Sequence, residues 1–123
     1  MAQSKLGNTK SAVTDYEKAI ELDANMVAAI NNLAWIRATG EAEFRDGKVA
    51  LDLATKAREI TKDRDSSVLD TLAAANAELG RFNDAARWQI AAIRLKERGT
   101  ASDALYQRLK LYSDKQAFRA KSR

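Results

Sequence analysis

The 123-residue chain contains no cysteine, no histidine and no proline, and only five glycines. Without cysteine there is no disulfide, no thiolate nucleophile and no Cys-based metal site. Without histidine the commonest general base and the commonest metal ligand are both missing. No familiar nucleophile–base pair can be assembled from what remains, and no glycine-rich phosphate cradle is present, so the residues describe neither an enzyme nor a cofactor binder. No apolar stretch approaches the roughly 20 residues of a membrane span. The opening Met1-Ala2-Gln3-Ser4-Lys5 lacks the apolar run of a secretory leader. The expectation is a cytoplasmic chain with no membrane segment, although a piece of a larger protein has the same composition.

Absence of proline leaves helices uninterrupted, and the glycines (Gly7, Gly40, Gly47, Gly80 and Gly99) fall near the ends of periodic segments. Hydrophobic residues make up 46% and charged residues 31%, enough apolar mass for one domain with a core. Three alanine-spaced segments recur: Ala12-Val13…Tyr16…Ala19-Ile20, Ala50-Leu51…Ala54…Ala57 and Ala85-Ala86…Gln89…Ala92-Ile93. Their spacing, in the mid-thirties, and their helical periodicity predict stacked helix pairs.

The apolar spacing predicts helices over about 9–22, 26–38, 47–60, 67–79, 83–97 and 101–113. Asn25 suits a cap for the second, Asp65, Ser66 and Ser67 compete to cap the fourth, and Thr100 or Ser102 would cap the sixth. Residues 39–46 form a longer, charged connection. The sixth helix should dock through Leu105 and Leu109 near Ile90 and Ile93, with Arg108 and Lys110 in solvent. After Ser113 the chain is polar except for Ala117, Phe118 and Ala120, and fraying is expected. Asp63-Arg64-Asp65 is a poor match to a calcium loop, because position 74 is Ala where the distal glutamate belongs, so no metal is expected.

These residues resemble the tetratricopeptide repeat family. Gly7-Asn8-Thr9-Lys10-Ser11-Ala12 through Glu21-Leu22-Asp23-Ala24-Asn25 looks like the second helix of one repeat and its exit, with Ala24 in place of the family proline. Ile30-Asn31-Asn32-Leu33-Ala34-Trp35 and Leu69-Asp70-Thr71-Leu72-Ala73 look like opening helices, and Leu79-Gly80-Arg81-Phe82-Asn83-Asp84-Ala85 like a turn within a repeat. The resemblance covers about residues 7–98. In detail it is similar to the C-terminal repeats of bacterial multidomain repeat proteins. It implies an all-α fold: a right-handed superhelical array of antiparallel helix pairs closed by a C-terminal capping helix. A single domain over 1–123 would hold a truncated repeat at 8–25, repeats at 26–63 and 65–98, and the cap and basic tail at 100–123. The first repeat lacks its opening helix, as in a piece of a longer array, and the carboxylate-clamp residues of chaperone-binding members have no counterpart.

The resemblance also implies a function, as a protein-interaction scaffold taking a peptide or partner protein. The concave groove would be lined by Asn31, Trp35 and Ala38 on the second helix and by Asp70, Ala74, Ala77 and Glu78 on the fourth. Asn31, alone or with Asn32, and Asp70 would hold a peptide backbone, and Trp35 would offer a stacking surface. Against this, Trp35 can simply pack under Phe44, and the asparagines can be ordinary surface residues. Trp88 reads as a partly buried spacer on the convex side. An unpartnered first helix would expose Val13, Tyr16 and Ile20 and favour a homodimer through the N-terminal end. The alternative partner is a nucleic acid or an acidic protein. Of the formal +4, residues 94–123 carry +6 and residues 1–93 carry −2, and Tyr106, Tyr112 and Phe118 could stack on bases. A solvated basic end is the plainer reading of that asymmetry.

Overall fold

A computed structural model describes residues 5–96 and 103–120, with side chains from residue 7. It contains six helices and, among the described residues, no strand: α1 (Lys5–Leu22), α2 (Val27–Thr39), α3 (Gly47–Thr61), α4 (Ser66–Glu78), α5 (Phe82–Leu95) and α6 (Asp103–Ser113). Each helix packs on the next, α5 on α6 included, and α2 additionally packs on α4. Neighbour-on-neighbour stacking of helices joined by short turns is the architecture of a tetratricopeptide-like array. α1 begins at Lys5, earlier than the sequence periodicity indicates.

Alanine sets the geometry. Ala34, Ala38, Ala50, Ala54, Ala57, Ala73, Ala75, Ala85 and Ala92 are fully buried, and a methyl group at a crossing lets two helix axes approach closely. One cluster joins four helices through Ala34, Ala54, Leu69, Leu72 and Ala92. A second joins α1, α2 and the 39–46 connection through Val13, Leu33 and Phe44. Helix α4 is the centre of the molecule, with eleven of its thirteen residues buried. Its polar members are satisfied locally or across the stack: Thr71 Oγ1 donates to the Ser67 carbonyl, Asn76 Nδ2 to the Leu72 carbonyl, and Ser66 Oγ to the Ala92 carbonyl.

Helix ends follow local chemistry in part. The Asp65 side chain accepts from the Ser67 and Val68 amides, and so wins over Ser66 and Ser67 as the cap of α4; Asp46 accepts from the Val49 amide at the start of α3. Asn25 does not cap α2. Its amide donates to Asp23 Oδ1 within the preceding turn, and Met26 occupies the cap position with no side-chain bond. Gly80 has φ +79, a conformation that L side chains avoid, and it turns the chain from α4 into α5. The 39–46 connection is folded rather than loose: Phe44 is buried, Arg37 Nη1 donates to its carbonyl, and Arg45 Nη1 donates to the Gly40 carbonyl. Asp63 is paired with Arg58 and Asp65 is spent on its cap, so that turn is explained by ion pairing and capping. The expected stop at Gly99 and the caps Thr100 and Ser102 lie outside the described residues.

Residues 114–120 do not fray. Helix α6 ends with Lys115 in the left-handed region (φ 61), and the Gln116 amide donates to the Leu111 carbonyl. This is a helix-terminating turn of the Schellman type, and it reverses the chain direction. The segment then runs back over α4 to the end of α2, where the Ala120 amide donates to the Thr39 carbonyl at 2.9 Å.

Candidate functional site: the face of α2 and α4

Helices α2 and α4 are adjacent, and of the seven residues assigned to the groove Asn31, Trp35 and Asp70 share one cleft. Asn31 Nδ2 donates to Ser67 Oγ at 3.1 Å, bridging the two helices, while its buried Oδ1 has no hydrogen-bond partner among the described residues. Asn31, Asn32, Trp35, Ser67, Asp70 and Thr71 line an open cleft of about 210 Å³. Ala38, Ala74 and Ala77 are part of the helix–helix core, buried rather than lining open space. Ala38 and Ala74 pack together between α2 and α4, and Ala77 packs against Ala85 and Tyr112.

Trp35 does not pack under Phe44, which belongs to the Val13–Leu33 cluster. It lies against Phe118, with ring centroids 5.6 Å apart and planes tilted by 42°. The Arg108 guanidinium meets both rings, 5.3 Å from the Trp35 centroid and 5.0 Å from that of Phe118. Such contacts are attractive because the ring faces carry negative potential. Arg108 also forms a two-pronged pair with Asp70, Nε to Oδ1 at 2.9 Å and Nη2 to Oδ2 at 2.8 Å, with both side chains about one-eighth exposed. The expectation that Arg108 stays in solvent is therefore corrected. The carboxylate on α4 draws it inward, and it ties α6 to the centre of the array.

Glu78 closes the other end of the face. Arg119 Nη1 lies 2.7 Å from its Oε1 and Arg45 Nε lies 3.5 Å from its Oε2, ion pairs at contact distance without hydrogen-bond alignment. Tyr112 fills the space between, packed with Ala73, Ala77 and Ala85, and is 1% exposed. Its hydroxyl has no hydrogen-bond partner among the described residues. Burial, and secondarily the negative charge of Asp70, push its pKa far above the usual tyrosine value, with Arg108 opposing. Thus the C-terminal half of the face is covered by the chain's own α6 and tail, while the half at Asn31 and Ser67 is open.

The other sequence candidates resolve as follows. Val13 is 7% exposed, and Tyr16 and Ile20 are half-buried against the same cluster of Leu33 and Phe44. Phe44 of the folded 39–46 connection covers Val13, while Tyr16 and Ile20 stay half-exposed. Trp88 is partly buried on α5, with the Arg58 guanidinium 4.7 Å from its ring centroid, beside a surface cavity of about 380 Å³. Of the basic end, Arg108 and Arg119 are paired inside the chain and Lys110 pairs with Asp114; Arg98, Lys121 and Arg123 lie outside the described residues. Tyr112 and Phe118 are engaged in packing, which leaves Tyr106 as the exposed aromatic of that group. Among the described residues no helix is long and apolar enough to cross a membrane, and no group of three potential metal ligands converges.

Sequence reasoning passed over Thr39, Ser67, Thr71, Phe118 and Arg119 as parts of this face. One signal for the last two was available, since a net-positive C-terminal end faces a net-negative remainder. Comparison with family models matches residues 1–26 to the tetratricopeptide repeat. Searches of curated proteins and of solved structures returned no match.

Proposed function

We propose that this tetratricopeptide-repeat chain is a non-catalytic protein-interaction module whose α2–α4 face receives an extended segment of a partner. Repeats of this family generally mediate protein–protein contacts, and the face combines what such recognition uses: an open cleft with a large aromatic, the Asp70 carboxylate and polar hydrogen-bonding groups, and a second carboxylate, Glu78, at its covered end. The observation that carries the reading is that the face already holds a non-helical stretch of polypeptide, with Phe118 on Trp35 and Arg119 at Glu78. The nucleic-acid reading is weaker, because the cations and aromatics it needs, Arg108, Arg119, Tyr112 and Phe118, are committed within the chain.

A random peptide display selected on the full chain tests the proposal. Selected peptides should lose binding to the Trp35→Ala and Asn31→Ala variants and keep it when exposed Val49 on α3 is changed to Ser. Peptides that bind all variants equally, or a selection that yields none, would overturn it.

A further inference from the structure

We infer that residues 116–120 are an intrachain ligand of the α2–α4 face, and that the face recognises an extended segment carrying an aromatic residue followed directly by arginine. The inference rests on the groove reading above and adds both the chemistry of the partner and its competitor. Three contacts define the recognition. The carbonyl of Thr39, the last residue of α2, receives the Ala120 amide at 2.9 Å; it is one of the end carbonyls that a helix leaves without an internal partner, and any backbone N–H can meet it. Trp35 receives the Phe118 ring, and Glu78 receives Arg119. Phe118 and Arg119 are adjacent in the non-helical tail, and together they meet two separate receptors on the face.

The tail has the properties of an occupant and not of a core element. Phe118 is half-buried and the Arg119 side chain is 44% exposed. Exposed ion pairs contribute little singly. The chain enters the face through Lys115, a non-glycine residue in the left-handed region, a conformational cost that the Schellman hydrogen bonds of the turn and the docked contacts offset together. Beyond Trp35 the cleft at Asn31, Asn32 and Ser67 is open, so an external segment longer than this tail gains contacts that the tail cannot make. A resident docked nine-tenths of the time lowers the apparent affinity of a competitor about tenfold.

The probe is a fluorescein-labelled peptide with the sequence of residues 114–120, followed by anisotropy against the full chain. The double variant Phe118→Ser/Arg119→Ser should bind it about tenfold more tightly than wild type. Adding Glu78→Lys should abolish that binding, and a peptide with Glu in place of the arginine should restore it. On the wild-type chain, saturating peptide should speed hydrogen exchange at the Ala120 amide, a reading that does not depend on any variant folding. Equal binding to wild type and tail variant, or an unchanged Ala120 amide under saturating peptide, overturns the inference. If display-selected peptides still bind through Trp35 in that case, the groove reading stands alone; if no peptide binds either protein, both fall.

Discussion

Truncating Asp70 to Ala removes both bonds that anchor α6 to α4 and strands the Arg108 guanidinium. One-sided removal of a fully buried pair costs about 3–5 kcal/mol, whereas exposed pairs are worth about 0–1 kcal/mol. The side chains here are 12% and 13% exposed, nearer the buried limit, but Arg108 keeps its contacts with Trp35 and Phe118. A loss of about 2 kcal/mol follows for D70A. With a urea slope of about 2 kcal/mol per molar, the midpoint should fall by about 1 M. The double variant D70A/R108M removes the stranded charge and keeps much of the side-chain volume. Its cost should therefore be smaller than the sum of the single costs, with a coupling of about 1–2 kcal/mol. Equilibrium urea unfolding followed by circular dichroism measures all three proteins. A D70A loss below about 0.5 kcal/mol, or strict additivity of the pair, would show that α6 is held by apolar contact alone and refute the reasoning.

Three further outcomes are expected. Tyr112→Phe removes a buried hydroxyl that lacks a partner among the described residues and should leave stability unchanged or raise it by about 1 kcal/mol in thermal unfolding; a loss above about 1 kcal/mol would mean the hydroxyl is hydrogen-bonded. The native Tyr112 pKa is raised, so its contribution is complete below about pH 10, the ordinary value, and falls above it as the unfolded chain releases a proton that the native chain keeps. Wild type should lose about 1.4 kcal/mol per pH unit relative to Tyr112→Phe in that alkaline range, and parallel profiles would contradict the assignment. Val13→Lys places a charge in the Leu33–Phe44 cluster and should destabilise the monomer by about 2 kcal/mol or more; if it changes only the sedimentation coefficient at high concentration, Val13 belongs to a pairing surface instead.

The helix pairs were readable because their signal is local. Alanine at helical spacing around Ala50, Ala54 and Ala57, and glycine at position 80, need no knowledge of distant residues. Capping was half readable: Asp65 outcompetes its neighbours because its side chain reaches two free amides, whereas Asn25 is drawn into a turn by Asp23. The location of the candidate face came from placing Asn31, Trp35, Asp70 and Glu78 in the register of the resemblance. Its occupant was hidden because Ala117, Phe118 and Ala120 are too sparse to show any periodicity. Their partners lie on α2 and α4, far away along the chain. The same holds for Arg108, which looks like a solvent-facing residue of a cap until Asp70 is brought opposite it. Burial of Val13 was missed for a related reason, since a charged connection gave no hint that Phe44 folds under it.

The hydrogen bond from residue 120 to residue 39 alters how the stack melts. A linear array has nearest-neighbour couplings only, and its end units can open while the rest persists. By joining the segment after the last helix to the end of the second, the tail turns part of that line into a loop, in which opening at α5 or α6 strains contacts at α2. Native-state hydrogen exchange should then show α2 and α6 opening as one cooperative unit. Once Phe118 and Arg119 are replaced the two should decouple, with α6 opening at lower free energy and a broadened unfolding transition. Whatever frees the tail would therefore also change which parts of the molecule can open independently.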